Sequence, residues 1–579
     1  MNQKTGHEKL LEQLRADGIR YMFGNPGSSE EGLIDTLSRF SDIQYILALQ
    51  ETIAIAMADG YCRATQQPAV VQLHDGVGLG NGIGMIYQAF RGHAPMVVLT
   101  GESGIAFDAM NAQMSANLVD MARPVTKFAA RVIHPGSLLR LLRRAIKIAA
   151  TPPTGPTFLA VPQDILDAPN DEPVVPTVVP STRVAPEPAA IAAAAEILCQ
   201  AEKPLILMGD GISRSGAQAE LAYLAEVLGA GVWGVNSSEV NLPQSHTLYC
   251  GLTGHMFGYA SAGHVRDADV VVICGTYVFP EVFPSLDSPF KPEAKLIHID
   301  LDAFEIAKNH PVTVGLVSDP KLTLKSLADT VTDLALPAQR EAAARRSQAI
   351  GEANRKAMAD ARAQDEKWRD AVPLHMSTFA QELARRLPED AIVFDEVLTH
   401  SPELTRWLTL DLPGQFFQTR GGSLGVGIPG ALGIKLGHPE RTVIGLTGDG
   451  GSMYTIQALW SAAHHRIGAK FVICNNHSYR LLKLNLQDYW AAQGLKPQDF
   501  PASFPNCFDL HEPDLDFVGL ARAMGVPGHR VTQPAEIAPA IQTMLDQDGP
   551  FLIDLVVDGS VPPAMAQSYP QPALRGRYG

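Results

Sequence analysis

The chain has no paired cysteine motif. Its six cysteines (Cys62, Cys199, Cys250, Cys274, Cys474 and Cys507) are scattered, and no two form CxxC. That pattern is neither a zinc site nor a disulfide scaffold, and it suits a reducing compartment. Basic charge is also short: 46 Lys and Arg stand against 61 Asp and Glu, a net −15. Wrapping nucleic acid or lying on an anionic membrane needs a cationic surface, so neither partner is expected. No run of about 18 apolar residues occurs, so no segment is expected to span a bilayer. The opening MNQKTGHEKLLEQLRADG lacks the apolar stretch of a signal peptide. Together these absences predict a cytoplasmic protein. Hydrophobic residues make up 46% and charged residues 18%, enough apolar material for several packed cores. At roughly 100–200 residues per domain, about three domains fit the length.

What is present is an alternation of short β-rich runs and amphipathic helices. Ile19–Phe23 reads as a strand ending in GNPGSSE. Ala69–His74 (AVVQLH) is another, before the glycine-rich DGVGLGNGIG, and Pro95–Thr100 and Thr157–Val161 follow. Strands apolar on both faces and separated by helices predict parallel sheets, an α/β fold. The prolines at 162, 169, 173, 176, 180, 186 and 188 disfavour both helix and central strand, which predicts an extended linker. A second unit holds a helix at Ala189–Gln200 and strands at Pro204–Met208, Val270–Cys274 and Lys295–Asp300. Ala338–Val372 predicts a solvated connecting helix, with Pro337 suiting its start. A third unit, from near Pro373, holds strands at Ala391–Phe394, Thr442–Leu446, Lys470–Cys474 and Phe551–Val556. The expected division is 1–180, 189–337, a linker helix 338–372, and 373–579. Within the last, 562–579 is a tail, either disordered or folded over a neighbour.

The sharpest motif is Gly448-Asp449-Gly450 followed downstream by Asn475-Asn476. Thr442–Leu446 delivers the first group to the carboxyl edge of the sheet, where such folds bind ligands. Lys470–Cys474 delivers the second group to the same edge. Asp449 and Asn476 then offer oxygen ligands to one hard cation, and a diphosphate and a water complete an octahedron about Mg²⁺. The glycines let backbone N–H groups approach phosphate, and a helix starting near Tyr454 favours its charge.

These motifs occur with GNPGSSE (Gly24–Glu30), YILALQE (Tyr45–Glu51), ADGYCRAT (Ala58–Thr65) and RGGSLGVGIPGALG (Arg420–Gly433). Across nearly its whole length the chain resembles the thiamine diphosphate (ThDP) enzymes of the pyruvate decarboxylase and acetolactate synthase superfamily. Within it the chain is most similar to the benzoylformate decarboxylases. The resemblance implies a pyrimidine-binding, a middle and a diphosphate-binding domain, with ThDP and Mg²⁺ as cofactors. It also implies a homodimer or homotetramer, because the family's cofactor sits between the first domain of one subunit and the third of another. Some relatives keep FAD in the middle domain.

Residue roles follow from the resemblance. Glu51 hydrogen-bonds N1′ of the aminopyrimidine and favours the imino tautomer, whose 4′-nitrogen removes the C2 proton. Leu424 props the cofactor in its bent shape, and Gly422 and Ser423 line the aminopyrimidine. Leu398 and Thr399 belong to the diphosphate loop, with Gly448, Asp449, Gly450, Gly451, Ser452, Asn476, Ser478 and Tyr479 as further cofactor contacts. The metal ligands are Asp449, Asn476 and Ser478. His74 transfers protons, and Ser28 contacts the substrate carboxylate.

Three departures bear on the substrate. The benzoylformate decarboxylases carry a second histidine in the middle domain. The matching GTYVFPEVFP (Gly275–Pro284) has none, and Glu281 is its nearest ionisable residue. The pocket positions are polar at Gln113, beside Ala112, and at Asn485. His400 and His477 lie near the diphosphate and metal loops. The expected reaction is decarboxylation of a 2-oxo acid to an aldehyde, with carboligation of the acetolactate synthase or benzaldehyde lyase type as the alternative. The GxGxxG runs at Gly229–Gly234 and Gly425–Gly430 lack the strand–turn–helix context of a dinucleotide site.

Overall fold

The computed structural model describes residues 4–254, 258–279, 281–284 and 286–561. The tail 562–579 lies outside the described residues. Three six-stranded sheets account for eighteen strands, and every pairing between strands is parallel. The first sheet comprises β1 (Tyr21–Gly24), β2 (Gln44–Leu47), β3 (Ala69–His74), β4 (Met96–Glu102), β5 (Phe128–Arg131) and β6 (Thr157–Pro162). The second comprises β7 (Pro204–Met208), β8 (Gly231–Gly234), β9 (Tyr249–Leu252), β10 (Val270–Cys274), β11 (Lys295–Asp300) and β12 (Val314–Val317). The third comprises β13 (Ile392–Glu396), β14 (Phe416–Gln418), β15 (Val443–Gly448), β16 (Lys470–Asn475), β17 (Gly528–Val531) and β18 (Phe551–Val556).

Central strands such as β4, β10 and β16 are buried along their whole length, which is why their sequences run apolar without alternation. Of the strands that the residue pattern did not predict, β5, β9, β12, β14 and β17 lie at sheet edges, and β8 is a four-residue strand inside the middle sheet. The first sheet runs β2-β1-β3-β4-β6-β5 and the third β14-β13-β15-β16-β18-β17. These are the same order of strands, so the two outer domains share one topology. Each reverses direction between its first and third strands, and such a switch point opens a crevice at the carboxyl ends of the strands. The middle sheet, read from β9 to β12, has the different order of dinucleotide folds.

The glycine-rich run after β3 forms a helix, Asp75–Arg91. A Cβ on Gly82 would stand 2.5 Å from the Ile55 side chain, so the small residues let this helix pack closely on its neighbour. Tertiary packing here overrides weak helix propensity. The helix expected near Tyr454 begins earlier, at Asp449, as a short turn through Ser452. The connecting helix spans Pro337–Asp365 and is mostly exposed. The proline-rich stretch departs from the expected linker at its start, where Pro162 ends β6 and Gln163–Asp167 form a short helix; from Ala168 it is irregular up to Pro188, where the next helix begins.

The domains are tied by buried polar contacts. Arg63 donates to the Gln418 carbonyl at 2.9 Å and to Ser238 Oγ at 3.0 Å, linking all three. Arg420 pairs with the buried Asp210 at 3.0 Å. Gln88 Oε1 accepts the Gly421 amide, joining the first domain to the loop that carries Gly422–Leu424.

Candidate active site

In the third domain, β15 ends at Gly448 and the chain turns at once into the Asp449 helix. Asp449 is buried, its Oδ1 accepting the Gly450 amide at 2.8 Å and its Oδ2 the Ser478 amide at 3.1 Å. Burial raises its carboxyl above the ordinary range, while those two amides and His477 act the other way. Ser452 Oγ donates to the Asp449 carbonyl at 2.7 Å, which closes the turn. The Tyr479 ring packs against Gly450, with no room there for a Cβ. Asn476 Oδ1 and Ser478 Oγ are buried and have no hydrogen-bond partner. Buried polar atoms are normally satisfied, so these two unpartnered oxygens together with the buried Asp449 carboxylate fit a hard cation. The donor types, carboxylate, amide and hydroxyl, are those Mg²⁺ takes.

The loop after β13 borders the same edge. Leu398 is in the left-handed region at φ +49° and half-exposed, and Thr399 accepts through its carbonyl from Arg480 at 3.5 Å. His400 is buried beside Asn476. Burial and then Arg480 hold its imidazole down to about 3, so it is neutral. Gly422 (φ +77°) and Ser423, whose hydroxyl donates to the Gly84 carbonyl at 3.0 Å, lie on an open turn. Leu424 is partly buried there.

In the first domain, Glu51 opens the helix Glu51–Thr65 and is buried. Its Oε2 accepts from Asn81 Nδ2 at 3.1 Å. His74 ends β3, beside the GNPGSSE turn that follows β1. Its Nδ1 lies 3.0 Å from Glu30 Oε2 and 3.2 Å from Ser29 Oγ, while Ser29 Oγ donates to Glu30 Oε1 at 2.8 Å. The serine proton is committed to the carboxylate, so the network places an imidazole proton on Nδ1 and leaves Nε2 outside it. Gly27 permits this: a Cβ there would lie 2.2 Å from the His74 ring. Ser28 is exposed at the start of the turn, and its neighbour Ser29 is the serine that meets His74.

Sequence reasoning missed Ser29, Glu30 and Asn81. Glu30 carried one signal, its place three residues after Gly27, where its carboxylate caps the Gly27 amide at 2.9 Å. The departures fall in different places. Glu281 is buried, bonded to Ser261, and raised by burial. Gln113 is exposed and Asn485 is half-buried. His477 pairs with Asp514 at 3.0 Å. A cleft of 980 Å³ opens between the middle and third domains, its lining running from Met208 and Gly234 to Leu398 and Thr399.

Two outer domains of one topology, each presenting polar groups at its switch point, have the layout of a cofactor-dependent α/β enzyme. Comparison with known proteins specifies the cofactor. Residues 4–121 match the N-terminal TPP binding domain of thiamine pyrophosphate enzymes, 191–327 the central domain, and 399–555 the C-terminal TPP binding domain. Benzoylformate decarboxylase from Pseudomonas aeruginosa is 30% identical over 95% of this chain and 98% of its own length. The large subunit of acetolactate synthase isozyme 3 from Escherichia coli is 28% identical over 97% of this chain and 96% of its own. Among solved structures, the thiamine diphosphate-dependent 4-hydroxybenzoylformate decarboxylase of Rhodococcus jostii superposes with a TM-score of 0.82 at 26% identity. That match covers 96% of this chain and 99% of the other. The chain belongs to the thiamine pyrophosphate enzyme family and is related to both the benzoylformate decarboxylases and the acetolactate synthases.

Proposed function

We propose that the protein is a ThDP- and Mg²⁺-dependent lyase that decarboxylates a 2-oxo acid to an aldehyde. The observation that carries this reading is the Glu30–Ser29–His74 arrangement, which presents an oriented imidazole at the first domain's switch point. ThDP, when bound, supplies the nucleophilic carbon and the electron sink. The protein's part is proton placement. Glu51 holds the ring nitrogen of the aminopyrimidine, and His74 moves a proton at the substrate-derived carbon through Nε2. Asp449, Asn476 and Ser478 hold the cation, Gly448–Ser452 and Tyr479 cradle the diphosphate with Leu398 and Thr399, and Gly422–Leu424 seat the pyrimidine. Ser28 and Ser29 flank the place for the substrate carboxylate.

The hydrogen bonds of Glu51 and His74 stay inside the first domain, and those of Asp449 and Ser478 inside the third. By the family resemblance, the cofactor would sit between the first domain of one subunit and the third of another, in a homodimer or homotetramer. The acetolactate synthase relatives favour a second reading, in which a second carbonyl compound is joined before release. A panel of 2-oxo acids with ThDP and Mg²⁺, each run with and without an acceptor aldehyde, tests both. CO₂ with equimolar aldehyde supports decarboxylation, CO₂ with a 2-hydroxyketone supports carboligation, and no CO₂ overturns both. FAD is no part of this proposal, and flavin-band absorbance of the purified protein tests for it.

A further inference from the structure

We propose that Glu396 is a positioning residue that joins the pyrimidine-lining turn to the diphosphate strand of the third domain. The inference rests on the reading of this cradle as the ThDP site. Glu396 is the last residue of β13, and its register partner on β15 is Thr447, just before Gly448-Asp449. Its side chain is buried at 2% exposure. Oε1 accepts the Gly425 amide at 2.5 Å, and Oε2 accepts the Gly427 amide at 2.6 Å and the Thr447 hydroxyl at 3.0 Å. One carboxylate thus ties three segments: the β13 loop leading to Leu398 and Thr399, the turn holding Gly422–Leu424, and the strand leading to Asp449.

The near side of the turn is held by Gln88 at the Gly421 amide, by Ser423 at the Gly84 carbonyl and by Thr419 at the Ser423 carbonyl, and its far side by Glu396 and Thr455. Gly425 sits at φ +88°, and a Cβ on it would stand 2.7 Å from Tyr454 Cβ. Its carbonyl accepts from Thr455 Oγ1 at 2.6 Å, so the peptide on either side of Gly425 is clamped, one side by Glu396 and the other by Thr455. Leu424 directly precedes the clamped amide. The carboxylate therefore fixes the backbone from which Leu424 projects, and Leu424 is the residue that would seat the pyrimidine of bound ThDP. A carboxylate is suited to this because both its oxygens accept. An amide offers one acceptor and one donor, and leaves either Gly425 or Gly427 facing N–H against N–H.

The test compares wild type with E396Q, E396D and T447V. ThDP is titrated into apo-enzyme at saturating Mg²⁺ by tryptophan fluorescence, and C2–H/D exchange of bound ThDP is then measured by NMR at saturation. E396Q should bind ThDP about tenfold more weakly, the scale of one unpaired buried amide, and should exchange C2–H more slowly even when saturated. E396D should recover part of both, and T447V, which removes only the hydroxyl donor, should show a smaller loss. A merely structural role would lower melting temperature without slowing exchange at saturation, and that result overturns the proposal. If E396Q fails to fold, wild-type affinity and exchange in both E396D and T447V overturn it equally. Wild type that binds no ThDP overturns the cofactor reading. Wild type that binds, with E396Q matching it in affinity and exchange, overturns only this inference.

Discussion

His400 Nε2 lies 3.4 Å from Asn476 Nδ2. A neutral imidazole nitrogen without a proton can only accept, so the amide nitrogen of Asn476 is turned toward the ring. The amide oxygen then faces the other way, and it is this oxygen that is buried without a partner. His400 therefore orients a residue assigned to the cation rather than touching the cation itself.

The metal site carries the first prediction. Asp449→Ala should weaken Mg²⁺ and ThDP together, by roughly 100-fold or more. His400→Leu should free the Asn476 amide to rotate and cost about 10- to 100-fold in metal affinity, as outer-shell changes commonly do. Titration of Mn²⁺ as a spin probe for Mg²⁺ measures both. Unchanged affinity in Asp449→Ala would remove the GDG assignment.

Glu51→Gln keeps size and one acceptor but removes the carboxylate proposed to meet N1′. C2–H exchange of bound ThDP should slow markedly while ThDP affinity changes little. Exchange at the wild-type rate, followed by NMR, would show that Glu51 does not act on the pyrimidine.

His74→Ala should leave C2–H exchange largely intact and lower turnover by roughly 10²–10⁴, the usual scale for a positioned acid–base group. Glu30→Gln should lower turnover less, because Nδ1 keeps an acceptor in the amide oxygen or in Ser29. Steady-state rates on the 2-oxo acid that wild type turns over best decide this. Equal rates in wild type and His74→Ala remove the histidine from the reaction.

Glu396 makes a prediction about pH. Burial pushes its carboxyl up to about 7, against the lowering effect of the Gly427 and Gly425 amides and Thr447. Between the unfolded value near 4.3 and about 7, the folded chain holds the extra proton, so folded stability falls as pH rises and levels off above 7. The span is worth about 4 kcal/mol. Glu396→Gln cannot ionise, so the stability difference between variant and wild type should shift toward the variant across that window. Denaturant unfolding of both apo-proteins from pH 5 to 8 measures it, and parallel pH profiles would contradict the buried-carboxylate assignment.

Assembly gives the last prediction. If Glu51 serves a cofactor held by another subunit's Asp449, activity needs at least a dimer. Sedimentation at assay concentration should show no active monomer. Mixing Glu51→Gln subunits with Asp449→Ala subunits should restore part of the activity through hybrid sites, a result that single-chain sites cannot produce.

Much was legible in the residues alone. Five strands, Ala69–His74, Pro204–Met208, Val270–Cys274, Lys295–Asp300 and Phe551–Val556, have the bounds their apolar runs predict. A strand buried on both faces needs apolar residues throughout, and that requirement is local. Asp449 meets the Ser478 amide because each follows a strand, and β15 and β16 are neighbours. What the residues could not show depends on which strands become neighbours across long stretches of chain. Ser29 and Glu30 reach His74 only because β1 lies beside β3. Glu396 reaches Thr447, Gly425 and Gly427 only because β13 lies beside β15. The glycine-rich run became a helix because its small residues fit against Ile55 of another helix. Local propensity determined the strands and the motifs at their ends. Tertiary pairing decided which of those ends share a crevice, because a buried carboxylate or imidazole takes its partners from whatever the fold places within about 3 Å.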